Sequence, residues 1–311
     1  MQISAITKIY KVSKVKRMIE EKLALSIPSP CEPFQPNWKH ADKLNLFVKR
    51  DDLIHPVISG NKWRKLKYAI DELPKHTSRV VSFGGGYSNH LHALSFVCNE
   101  LGIPFTAIIR GDYSASPTPM IKDLLSWNSE LLFVSKKEYQ LRESSEYLLN
   151  IKLRYPDAEI IPEGGKQLSA LKGVGEIIEE LTFKPDYVLV PVGSGATLAG
   201  LIPKLSISQH ALGIAVLKGK GYLETEVERL LPSSATNWSI NHDYHHGGYA
   251  KRSPELTQFC QTFAQNNTLL IEPVYTGKLF YAAKKLIEDN YFRSGAKILI
   301  VHTGGLQGAR D

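Results

Sequence analysis

Short runs of buried-type residues recur along this chain, each followed by a glycine-bearing or polar loop and then by a stretch with helical spacing. Residues 46–50, 79–83, 104–110, 130–135, 158–162, 186–192, 211–217 and 297–302 predict strands. Between them, apolar residues three or four apart predict helices at 91–101, 120–125, 138–154, 169–180 and from about residue 198. Gly102 stands where a helix closes on a left-handed residue. Strands alternating with helices of this length predict parallel sheets joined by right-handed crossovers, and so an α/β fold. Residues 1–25 predict a helix after a short strand. The run from Pro28 to Pro36 predicts a loop, because each proline removes a donor and restricts its predecessor. No repeat or low-complexity linker marks a boundary, but 311 residues are length enough for about two domains.

Composition excludes several classes of function. The net charge of +7 favours anionic ligands, yet the lysines and arginines are dispersed and not interleaved with aromatics, which argues against nucleic acid. Cys31, Cys98 and Cys260 lie far apart with no CxxC pair. That spacing argues against a disulfide framework or zinc cluster and suits a reducing cytoplasm. His90, His92, His242, His245 and His246 lack the accompanying spacing of a metal site and read as loop or core histidines. The first thirty residues carry Lys and Glu throughout, so no signal peptide is expected, and no run approaches the ~18 apolar residues that span a bilayer.

Three stretches carry chemistry. Asn61-Lys62-Trp63-Arg64-Lys65-Leu66 opens a helix, with Lys62 and Lys65 stacked on its first turn. A lysine there faces the positive end of the helix dipole. It is either plain solvated surface or an amine meant to be neutral for carbonyl chemistry. Gly193-Ser194-Gly195-Ala196-Thr197 leaves backbone N–H groups and two hydroxyls free to cup a phosphate. It matches neither the Walker nor the dinucleotide spacing, and a simple strand-to-helix turn would read the same way. Ser88-Asn89-His90, after three glycines, offers either a carboxylate-sized cup or an ordinary helix cap. A phosphate cup, an amine and a carboxylate cup together describe a phosphate-tailed aldehyde that holds an amino acid, which fits pyridoxal phosphate.

Six stretches then carry a resemblance: Lys49-Arg50-Asp51-Asp52, Gly60 to Leu66, Ser88-Asn89-His90, Gly193 to Gly200, Glu272-Pro273-Val274-Tyr275-Thr276-Gly277-Lys278 and His302-Thr303-Gly304-Gly305. In that order they resemble the 1-aminocyclopropane-1-carboxylate deaminase and D-cysteine desulfhydrase family of fold type II, tryptophan-synthase-β-like pyridoxal-phosphate enzymes. The resemblance spans residues 49–305. It implies that Lys62 binds the cofactor's aldehyde and later moves the substrate proton, and that Lys65 helps hold the phosphate. It implies that Asn89 meets the ring hydroxyl, that Gly193, Ser194, Gly195, Ala196 and Thr197 form the phosphate cup, and that Thr303 meets the ring nitrogen. Ser88, Asn89 and His90 would bind substrate, with Ser88, Tyr249 and Tyr275 catalytic beside Lys62. No metal is implied.

The fold so implied is two three-layer α/β domains with the cofactor in the cleft between them. Residues 1–64 with 173–311 would form the larger, cofactor-binding domain, and 65–172 an inserted smaller one that closes on substrate. The deaminases typically carry Glu after the second tyrosine and Leu at the place of Thr303. Thr276 and Thr303 here are similar to the desulfhydrase branch, where a neutral partner leaves the ring nitrogen largely unprotonated. Tyr87 stands where the family usually has Gln, and His92 where it often has Arg. The chain stops soon after Gly305, so the family's C-terminal helix is expected to be missing. The expected activity is β-elimination and deamination of a small amino acid, D-cysteine giving pyruvate, sulfide and ammonia, in a cytoplasmic homodimer without nucleic-acid or membrane partners. The alternatives are ring opening of 1-aminocyclopropane-1-carboxylate to 2-oxobutyrate, and a non-catalytic protein that binds pyridoxal phosphate or an amino acid.

Overall fold

A computed structural model describes residues 19–58, 60–231 and 234–305. Most of the helix and all of the strand expected within residues 1–25 lie outside the described residues, of which 19–22 are helical.

Among the described residues, ten strands form two sheets. The first has six strands in the order β1 (Cys31–Pro33), β2 (Asn45–Lys49), β10 (Lys297–Val301), β7 (Tyr187–Val192), β8 (His210–Ala215) and β9 (Trp238–Asn241). All its pairs are parallel except β1 with β2. The second has four parallel strands in the order β5 (Glu130–Val134), β4 (Phe105–Arg110), β3 (Arg79–Gly85) and β6 (Ala158–Ile161). The α/β architecture with two mainly parallel sheets is thus the one the alternation predicts.

Side chains alternate across each pleat, so the near-continuous apolar strands feed a core on both faces. Ile298 and Ile300 of β10 pack under helices α9 (Pro254–Asn266) and α10 (Thr276–Glu288). Their neighbours Leu299 and Val301 pack on the opposite side, against α6 (Leu168–Glu179) and α7 (Ala196–Leu201). In the smaller sheet Val80, Ala107 and Ile109 meet α2 (Asn89–Leu101) and α3 (Pro119–Ser126), while Val81, Phe83 and Ile108 face the other way.

Two expectations need correction. Residues 138–154 do not form one long helix: α4 (Lys136–Tyr139) ends, the chain turns, and α5 (Ser145–Arg154) restarts. The Ser144 hydroxyl accepts from the Tyr147 N–H at 3.3 Å, and such a cap begins a helix in place of continuing one. The Pro28 to Pro36 run is not wholly loop, because Cys31–Pro33 pairs along β2 at the sheet's edge, where a proline forfeits no inward hydrogen bond.

The helix bearing Lys62, α1 (Asn61–Asp71), is fixed from two sides. Trp63, Leu66 and Ile70 are buried in the core shared with Val80, Leu91 and Leu94. On another face Arg64, without exposure, lies in an ionic network. Its Nε and Nη2 donate to Asp51 at 3.1 and 2.9 Å, and Nη1 and Nη2 to Glu180 at 2.5 and 2.8 Å. Lys49 donates to the same Glu180 at 2.5 Å, and Ser29 Oγ to Asp51 at 2.7 Å. The helix begins at Gly60, whose φ of 70° suits glycine and where a Cβ would lie 1.7 Å from the Thr303 carbonyl oxygen. The strand-end loop after β10 and the start of α1 therefore touch backbone to backbone, with the Asn61 N–H donating to Thr303 O at 3.3 Å.

Candidate functional site

Loops at the carboxyl ends of β3, β7 and β10 converge with the start of α1 on one cavity of about 490 Å³. Ligand sites in parallel sheets form at this end because the loops there are free of the crossover helices' own packing. Of the residues singled out in the sequence, Lys62, Lys65, Ser88, Asn89, His90, Gly193, Ser194, Gly195, Thr197, Tyr249, Tyr275 and Thr303 all line it. Ala196 does not, being buried at the first position of α7.

The Lys62 amine donates to Asn61 Oδ1 at 2.8 Å, and the Asn61 amide donates in turn to Thr197 Oγ1 at 2.7 Å. This chain of bonds holds the amine in register with the glycine loop. Burial pushes the amine down to about 8, partly opposed by the Glu272 carboxylate. Lys65 is pushed to about 7, by burial first and then by the neighbouring Lys62 charge. Only a neutral amine attacks a carbonyl. The rate at which an aldehyde probe captures Lys62 should therefore rise with pH up to about 8 and level off above it. A rise continuing toward 10.5, the ordinary lysine value, would mean a water-exposed amine.

The N–H groups of Ser194, Gly195, Ala196 and Thr197 donate to no protein acceptor among the described residues. Buried donors of this kind are usually paired, so the loop is built for an acceptor. Ser88 accepts from the Leu91 N–H at 3.2 Å, so it does cap its own helix while lining the cavity. His90 is a core histidine: Ser82 Oγ donates to Ile161 O at 2.6 Å, so at 2.8 Å His90 Nε2 is the donor to Ser82. Burial, then Lys62 and Lys65, hold its ring neutral, down to about 3. Tyr275 donates to the half-exposed Tyr249 hydroxyl at 3.3 Å with the rings edge-on, and burial keeps the Tyr275 phenol protonated far above its usual range. Thr276 is fully buried. Its hydroxyl donates to Glu272 Oε1 at 3.2 Å and it does not line the cavity, whereas Thr303 does.

Several residues of the site were assigned no role from the sequence. Glu272 is 1% exposed, and its carboxylate accepts from the N–H groups of Val274, Tyr275 and Thr276, fixing the turn that presents Tyr275. Lys278, fully buried, donates to the carbonyls of Val216 and Gly248, beside Tyr249. Arg110 of β4, Arg142 after α4, Glu163 and Lys166 of one turn after β6, and Glu226 of the helix Tyr222–Glu228 also come to the cavity. His92, by contrast, points to Asp123 at 2.8 Å and does not line the cavity.

The family model described as pyridoxal-phosphate dependent enzyme matches residues 27–304. A Thermotoga maritima protein provisionally named 1-aminocyclopropane-1-carboxylate deaminase is 32% identical, over 85% of this chain and 89% of that one. The bifunctional mitochondrial D-cysteine desulfhydrase/1-aminocyclopropane-1-carboxylate deaminase of Arabidopsis thaliana is 30% identical, over 86% and 73%. A solved ACC deaminase homologue has a TM-score of 0.78 at 26% identity, covering 94% of this chain and 95% of its own. Among the described residues no helix is long and apolar enough to cross a membrane.

Proposed function

We propose a function from one premise: the chain belongs to the pyridoxal-phosphate-dependent enzymes, in the family of the 1-aminocyclopropane-1-carboxylate deaminases and D-cysteine desulfhydrases. The proposal is that it eliminates the β-substituent of a small amino acid and deaminates it, with D-cysteine the favoured substrate. The observation that carries it is the Lys62 amine, poised near neutrality, sharing one cavity with Ser194, Gly195 and Thr197, whose N–H groups have no partner among the described residues.

These residues fit the cofactor. Lys62 offers the amine for its aldehyde. Ser194 to Thr197 and Lys65 offer donors and charge for its phosphate, Asn89 an amide for the ring hydroxyl, and Thr303 a hydroxyl for the ring nitrogen. When bound, the cofactor draws electrons from the substrate's α-carbon, which no side chain here can do. The chain's own residues supply the rest. The Ser88-Asn89-His90 turn would receive the substrate carboxylate, and Tyr249 and Tyr275 would flank the reacting carbons. Lys62 Nζ would take the α-proton, and a value near 8 makes it an effective base close to neutral pH. Thr303, a neutral partner, supports loss of a good leaving group such as thiolate. Thr276 adds no support, since its hydroxyl is spent on Glu272.

Residues 1–64 with 173–311 are proposed as the cofactor-holding unit and 65–172 as the unit that closes over substrate, in a homodimer, the commonest enzyme assembly. Product analysis tests the reading. The holo-protein should give pyruvate and sulfide from D-cysteine. A higher kcat/KM for 1-aminocyclopropane-1-carboxylate, giving 2-oxobutyrate, would transfer the site to ring opening, and no product from D-cysteine, L-cysteine or the cyclic acid would sink the proposal.

A further inference from the structure

We propose that Arg110 widens the site's substrates beyond D-cysteine to amino acids whose β-substituent is itself an oxyanion, a sulfonate or a phosphate ester, so that the leaving group carries charge before it leaves. This deepens the elimination reading above and rests on it.

The charges around the cavity are unequal in their pairing. Arg142 Nε is held by Glu163 at 2.7 Å, and the ammonium of Lys166 by Glu226. Lys62 and Lys65 stand at the end proposed for the cofactor. Arg110 lines the cavity at its exposed mouth, and its side chain forms no hydrogen bond or ion pair among the described residues. Its guanidinium stands 5.6 Å from the centre of the Tyr139 ring, whose other cationic neighbour is Arg142 at 4.9 Å. An aromatic neighbour steadies a guanidinium without neutralising it, so the fork stays free for a ligand.

The backbone places this charge beside the substrate turn. Arg110 ends β4 in register with Gly85 of β3. A Cβ on Gly85 would lie 3.6 Å from Arg110 Nη2, and one on Gly86 would lie 2.3 Å from the Tyr113 ring. The loop that leads to Ser88 and Asn89 thus has no side chains at the two positions where Arg110 and Tyr113 come in. Ser88 and Asn89 already account for the substrate's α-carboxylate. A neutral thiol makes no use of a free guanidinium, but a sulfonate or phosphate offers the two oxygens that an arginine fork binds in parallel.

The elimination then balances as follows. Lys62 takes the α-proton, the C–H electron pair becomes the Cα=Cβ bond, and the Cβ–S or Cβ–O bond breaks. Sulfite or phosphate leaves with that bond's electrons toward Arg110. Water hydrolyses the resulting enamine to pyruvate and ammonia.

The holoenzyme is assayed with both enantiomers of β-chloroalanine, 3-sulfoalanine and O-phosphoserine, as wild type, Arg110→Gln and Arg110→Lys. At least one anionic substrate should be turned over, and Arg110→Gln should lower its kcat/KM about 10- to 100-fold more than that of β-chloroalanine, with partial rescue by lysine. Calorimetric titration of O-phosphoserine into Lys62→Ala protein, with and without Arg110→Gln, should show a loss of binding of the same order. Equal losses for all three substrates would assign Arg110 to the α-carboxylate or to the loop and overturn the inference. So would turnover of β-chloroalanine with neither anionic substrate accepted. Failure with β-chloroalanine as well as the others falls on the elimination reading itself.

Discussion

Lys62→Ala protein is expected to lose turnover by at least roughly 10²–10⁴-fold, the usual contribution of a positioned base. It should also lack the absorbance band near ~410–430 nm that a lysine joined to pyridoxal phosphate gives. Both losses follow from one atom, because Lys62 Nζ is proposed first as the cofactor's anchor and then as the proton acceptor. The neighbouring change Lys65→Ala separates the two roles. It removes a charge from the phosphate end, so it should weaken cofactor retention while leaving the band present at saturating cofactor. The measurement is a spectrum before and after gel filtration, with kcat taken at saturating cofactor. A Lys62→Ala protein that keeps the band would move the anchor to another amine and remove the basis of the assignment.

The largest loss of stability is expected on the same helix, two residues from Lys62. Arg64→Ala leaves Asp51, which has no exposure, and the partly buried Glu180 with their chief cation gone. Removing one partner from a buried ionic network costs about 3–5 kcal/mol, because the remaining charge keeps its desolvation cost and loses its compensation. Lys49 still reaches Glu180, so the stranded group is chiefly Asp51. The pair Arg64→Met with Asp51→Asn should therefore recover part of what Arg64→Ala loses. Denaturant midpoints of the three proteins decide it, and a midpoint for Arg64→Ala close to that of the unaltered chain would show the network to be inconsequential. Since Arg64 lies between Lys62 and Lys65 in sequence on the first turn, weaker cofactor retention should accompany the loss.

The legible parts of this molecule are those with a local cause. Val188, Val190 and Ile300 lie in runs apolar enough to be buried on both faces, so a parallel sheet followed from them alone. Gly60 and Gly195 mark turns that the backbone requires, with φ of 70° and 80°. The residues that escaped notice have no local cause. Arg64 looks like any basic residue in a helix, and only the fold brings Asp51 and Glu180, 13 and 116 positions away, onto its guanidinium. Glu272 stands in a stretch that carries the resemblance, yet its burial and its influence on Lys62 come from packing against the loop after β10. The break between α4 and α5 was hidden for a different reason. Periodicity continued through residues 140–144, but Leu141 is 52% exposed, so no core held the turn in helix against the Ser144 cap.

The register of the larger sheet sets an order on synthesis. Residues 79–161 contain every strand of the smaller sheet, so that sheet can assemble while the rest of the chain is still unmade. Strand β2 must wait: its parallel neighbour is β10, with Phe47 opposite Leu299. Until the last strand emerges from the ribosome, β2 has only the short β1 beside it, and the start of α1 lacks the Thr303 carbonyl on which Asn61 docks. The amine and the glycine loop are thus both made before the strand whose following loop supplies that carbonyl.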